Sequence, residues 1–137
     1  MAKIVSILIL CVVTFSFFSK IKSNNKCSDF RKGKFLYRET GDTSLFIIIR
    51  NDTVQYEINY YTKENISLKI NWLDSCEYKL SFLNQNVNNR DQIPIEFQSV
   101  ILYCKMQNFE NDTCILSTFF KFRDSSKNLT GKLIKLN

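Results

Sequence analysis

The chain has no histidine, one proline and three glycines among its 137 residues. Each shortage excludes something. Without histidine, the commonest general base at neutral pH is missing. Scarce glycine and proline, set against 14% aromatic residues, argue against disorder and for a packed β core. No Cys-x-x-Cys pair occurs anywhere, so the closely spaced thiolates of structural zinc sites are lacking. No metal or cofactor is expected, and no catalytic residue. A strong positive charge is also missing once its location is considered. Of 19 Lys and Arg against 13 Asp and Glu, three (Lys3, Lys20 and Lys22) lie in or beside an N-terminal apolar segment. Without them the formal charge falls from +6 to +3, too little to steer nucleic acid.

What is present begins with that segment. Lys3 precedes an apolar stretch over residues 4–18, and Ser23 follows Ile21 and Lys22. These are the parts of a secretory signal over residues 1–23. The apolar stretch falls short of the ~20 residues of a spanning helix. One domain over residues 24–137 is expected, secreted or held in the periplasm or cell envelope. Membrane contact would then require an uncleaved signal. Cys11 leaves with the signal, and Cys27, Cys76, Cys104 and Cys114 remain. An even number of thiols in an oxidising compartment reads as two disulfides.

The centre of the chain, residues 54–82, alternates apolar and polar positions with the period of a strand. Val54, Tyr56, Ile58 and Tyr60 form one apolar set; Ile66, Leu68, Ile70 and Trp72 a second; Cys76, Tyr78, Leu80 and Phe82 a third. Short polar linkers separate them, as hairpins require. Further strands are expected over 33–38, 45–49, 95–105 with a bulge near Ser99, 113–123, and 129–136, the last weakened by Gly131. Residues 24–32 read as an extended arm. The sum is an all-β antiparallel meander of about eight strands. Eight such strands commonly close into a barrel; a β-sandwich is the alternative. An up-and-down order gathers all four thiols at one end. Cys104 and Cys114 would flank one hairpin turn over residues 107–112. Cys27–Cys76 and Cys104–Cys114 are therefore favoured over the other two connectivities.

The meander, together with Gly33-Lys34-Phe35 in the first strand, resembles the lipocalin-like barrels, with Phe35 where that group carries tryptophan. More specifically, Cys27-x-x-Phe30-x-x-Gly33-Lys34-Phe35, Arg50-Asn51-Asp52, Gln55-x-Glu57 and Trp72-x-x-x-Cys76-x-Tyr78-x-Leu80 are similar to a group of short exported bacterial proteins of unknown role. That likeness implies the same Cys27–Cys76 pairing and brings no activity.

The carboxylates Glu39, Asp42, Glu57, Glu64, Asp74, Glu77, Glu96, Glu110 and Asp112 fall mostly on polar parity or in turns, and read as solvated. The aromatic set Phe35, Tyr37, Tyr56, Tyr60, Trp72, Tyr78, Phe82 and Phe97 either lines a ligand cavity or fills the barrel. The expected function is non-catalytic: binding of a small apolar or amphipathic ligand or an envelope component. The alternative is a structural or protein-interaction module with a filled core.

Overall fold

A computed structural model describes residues 26–88 and 92–137. The expected signal, residues 1–23, lies outside them. The described chain is all-β. A short 3-10 helix, Lys26–Phe30, is followed by β1 (Gly33–Glu39), β2 (Leu45–Arg50), β3 (Val54–Asn59), β4 (Asn65–Trp72), β5 (Glu77–Asn86), β6 (Leu102–Glu110), β7 (Thr113–Phe122) and β8 (Ser125–Leu136). Each strand pairs antiparallel with the next, and β8 pairs with β1 from Lys34↔Leu136 to Glu39↔Gly131. The barrel is closed, so every strand has a neighbour on both sides.

The ends of the barrel differ. At the lower end the 3-10 helix, where an extended arm was expected, acts as a plug. Cys27 in the plug is bonded to Cys76 just before β5, with Cα atoms 5.1 Å apart. Phe30 is 2% exposed and packs against Phe35 and Phe109 at centroid distances of 5.7 and 5.5 Å. Burying each such ring contributes about 1.5–3 kcal/mol. The loops after β1, β3, β5 and β7 gather at the opposite end.

Two departures from the sequence reading matter for the interior. The first is strand parity. Tyr56 and Tyr60 are 44% and 45% exposed, whereas Gln55 is 1% exposed. β3 thus turns its polar residues inward. The reason lies on β2, where Arg50 is buried opposite Gln55. A buried cation needs hydrogen-bonding neighbours more than the barrel needs another ring.

The second is β6. Residues 95–99 form turns, closed by bonds such as Phe97 N to Pro94 O at 2.9 Å. β6 therefore begins only at Leu102, and the expected bulge near Ser99 is replaced by one between Gln107 and Glu110. There Asn108 takes a φ of 53°, the left-handed conformation asparagine tolerates. The strand runs on to a two-residue turn, with Glu110 opposite Thr113. Cys104 consequently sits near the start of β6, opposite Thr118, while Cys114 lies opposite Leu133. Four residues along β7 separate Cys114 from Thr118, roughly 13 Å at strand rise. That is too far for a disulfide. Cys104 and Cys114 are free buried thiols, which corrects the expected second bridge.

Gly131 strengthens its strand's packing instead of weakening it. A Cβ there would lie 2.5 Å from the Tyr37 ring and 2.6 Å from the Arg38 carbonyl. Only glycine lets the ring cross the β1–β8 seam at this point. Gly131→Ala should lower stability by about 1–3 kcal/mol through overpacking, read as a downward shift in the urea midpoint. An unchanged midpoint would show that the seam gives way freely.

Candidate functional site

The lower half of the barrel is built around Arg50. Its Nε donates to Gln55 Oε1 at 2.8 Å, Nη1 to the Phe30 carbonyl at 2.8 Å and Nη2 to the Tyr78 hydroxyl at 2.7 Å. Nη1 also lies 3.8 Å from Met106 Sδ. The guanidinium packs over the Tyr78 and Phe35 rings at 4.7 and 5.4 Å, with Trp72 at 5.9 Å. Trp72 itself is half-buried against Tyr78, and its Nε1 donates to the Asp52 carbonyl. Arg50 thus joins plug, β3 and β5, an architectural role.

Gln55 relays this charge upward. Its amide oxygen accepts from Arg50, so its amide nitrogen is left to donate to Glu57 Oε1, at 2.7 Å. Glu57 is half-buried and lines a cavity of about 180 Å³ in mid-barrel. Tyr37, Glu39, Gln55, Cys104 and Thr118 supply its polar wall; Phe46, Ile48, Leu80, Leu102, Leu116 and Leu129 supply the rest. A second cavity of about 190 Å³ adjoins it and shares Leu80 and Leu102. Its wall is wholly apolar: Ile66, Leu68, Phe82, Ile93, Phe97, Val100 and Phe120 complete it. This chamber exists because β5 and β6 pair only from Glu77↔Lys105 to Leu80↔Leu102 and then part. The connection after β5 drops Ile93, Phe97 and Val100 into the gap. It is held by Ile93 N donating to Gln85 Oε1 at 2.8 Å and by Phe97 stacking on Phe122 at 4.0 Å.

The electrostatics of the mid-barrel cavity are one-sided. Burial pushes the Glu57 carboxyl above the usual range, against the opposing pull of Gln55 and Arg50. Burial pushes Tyr37 up to about 12, with Glu39 and Glu57 adding to it. Cys104 is pushed up to about 11, chiefly by burial and also by Glu57, and Cys114 to about 12 by burial. Neither thiol carries appreciable thiolate near neutral pH, so neither is a ready nucleophile. In the folded protein at pH 8, iodoacetamide should leave Cys104 and Cys114 unlabelled, and both should label in urea. Peptide mapping that finds native-state label on either would contradict this.

Of the eight aromatics expected to line a cavity, Tyr37, Phe82 and Phe97 do so. Phe35 and Tyr78 fill the lower core at 0% exposure, Trp72 packs beside them, and Tyr56 and Tyr60 lie outside. Glu39 and Glu57, read as solvated, line the cavity instead. The signal for Glu57 was the spacing Arg50, Gln55, Glu57 across one short turn. That spacing places all three on the same face once β2 and β3 pair. Arg50, Gln55, Trp72, Cys76 and Tyr78, quoted above in the likeness to short exported proteins, meet around the lower hub.

No family model, curated protein or solved structure gives a significant match to this chain.

Proposed function

We propose that this barrel is a non-catalytic carrier of a small amphipathic ligand, acting outside the cytoplasm. The supporting observation is the divided interior: an apolar chamber adjoining one with a polar wall, between side chains of all eight strands. A core meant only for stability closes such spaces, because unfilled volume costs packing energy. The Cys27–Cys76 disulfide suits an oxidising compartment. Among the described residues, no helix is long and apolar enough to cross a membrane. The lack of histidine and the buried, unactivated thiols support the non-catalytic reading.

Titration calorimetry with 2-phenylethanol tests this. One saturable site is expected, weakened at least about ten-fold by Leu102→Phe, which fills space at a wall shared by both chambers. Absence of saturable binding of phenylethyl compounds to the wild-type protein, whatever their head group, would refute it.

A second reading has its own observation. Ile134, Leu36, Ile47 and Ile58 are register neighbours across β8, β1, β2 and β3 on the outer face, beside exposed Ile49 and Tyr56. An apolar row of this kind is a docking surface in an interaction module. Ile47→Lys would disrupt such docking and leave interior binding intact.

A further inference from the structure

The polar wall of the mid-barrel cavity has two carboxylates, Glu39 and Glu57, and no Lys or Arg lines either chamber. The nearest interior cation, Arg50, is occupied by Gln55, Phe30, Tyr78 and Met106, and the Gln55 amide stands between it and Glu57. Glu57 Oε1 accepts from Gln55, and Glu57 lines the cavity together with Tyr37, Glu39, Thr118 and aliphatic side chains. A half-buried carboxylate with no cation against it is poorly compensated, and a cation delivered to it forms a strong charge-assisted hydrogen bond. Beyond Leu80 and Leu102 the neighbouring chamber offers only apolar and aromatic surface. An anionic head group would meet repulsion from both acids, and a neutral one would leave the charge unanswered.

We infer that the ligand is a small amphipathic amine, its ammonium group held by Glu57 in the mid-barrel cavity and its apolar body lying toward Phe82, Phe97 and Phe120. The raised Glu57 carboxyl fits a site whose counter-ion arrives with the ligand. The inference rests on the reading that the interior binds ligand. It adds the sign of the head group. The competing account makes Glu57 only a distant partner of Arg50 through Gln55; in that case the head group's charge would not matter to binding.

Calorimetry at pH 7 with 2-phenylethylamine, 2-phenylethanol and phenylacetate, which carry the same ring on different head groups, separates these accounts. The amine should bind at least about ten-fold more tightly than the alcohol, and phenylacetate weakest. Glu57→Gln should abolish the amine's advantage, bringing amine and alcohol to within about two-fold of each other. Glu39→Gln should have a smaller effect. Equal affinity of wild-type protein for amine and alcohol would overturn the amine inference and leave interior binding standing. Persistence of the amine preference in Glu57→Gln, or its loss only in Glu39→Gln, would overturn the assignment to Glu57. Failure of all three compounds to bind would remove the interior-binding reading itself. The wild-type comparison is decisive even if circular dichroism shows that Glu57→Gln does not fold.

Discussion

Arg50→Met should lower the unfolding free energy by about 3–5 kcal/mol. Methionine keeps an unbranched apolar stem and removes every donor. The Tyr78 hydroxyl, the Gln55 amide oxygen and the Phe30 carbonyl would each lose a partner bonded at 2.7–2.8 Å. All three belong to the buried lower core, where an unpaired polar group costs about 1–3 kcal/mol. Arg50→Lys should be nearly as damaging, because one ammonium cannot span three acceptors set around a planar fork. The double variant Arg50→Met with Tyr78→Phe should cost less than the two single changes added together, since they act on one network. Urea denaturation followed by far-ultraviolet circular dichroism reads these differences. A loss below about 1 kcal/mol for Arg50→Met would show that water replaces the guanidinium at little cost, and would reduce the hub to ordinary packing.

Removing the Cys27–Cys76 bridge should have a comparable effect. The bonded residues are 49 positions apart. Closing a loop of that size in the unfolded chain corresponds to about 4 kcal/mol by the chain-entropy relation. Cys27→Ser with Cys76→Ser should therefore approach that loss. Reduction of the native protein should act similarly, because the other described thiols, Cys104 and Cys114, are unpaired from the outset. The bridge and the Arg50 hub hold the same element: the first fixes Cys27 and the second the Phe30 carbonyl, three residues on. Combining both disruptions should release the plug and expose Phe30 and Phe35, seen as binding of an apolar dye. A bridge-free variant with the wild-type urea midpoint would show that the plug docks without its tether. Each predicted loss is a large fraction of the ~5–15 kcal/mol that holds a typical domain together.

Both effects act below the cavities, which the hub reaches only through Gln55. The plug and hub occupy the lower end. The two chambers sit in mid-barrel and beneath the connection after β5. Leu102→Phe and Glu57→Gln alter the chambers and leave the hydrogen bonds of Arg50 in place.

Much of the architecture was legible because a half-buried strand advertises itself. Leu68 and Ile70 on β4, and Tyr78 and Leu80 on β5, are buried, and their alternation with polar residues marks the face. The Cys27–Cys76 pair was legible too, since up-and-down strands bring the start of β1 beside the start of β5's hairpin. The rule failed on β3. Counting greasy residues put Tyr56 inside, but period-two alternation says only that two faces differ. Which one turns inward was set by Arg50 across the ladder. It failed again at Phe97 and Val100, which line the apolar chamber from an irregular connection with no strand to carry them, while Ile95 stays outside.

Composition and alternation by themselves determined that this chain forms an antiparallel β meander, because the period of two is a local property of the sequence. Only the tertiary structure decided that Gln55 and Glu57 face inward, that Cys104 and Cys114 stay apart, and that the interior is divided. Those outcomes depend on register, on a bulge at Asn108 and on the parting of β5 from β6. Each is fixed by which residues meet across strands, and residues distant in sequence meet only after the barrel has closed.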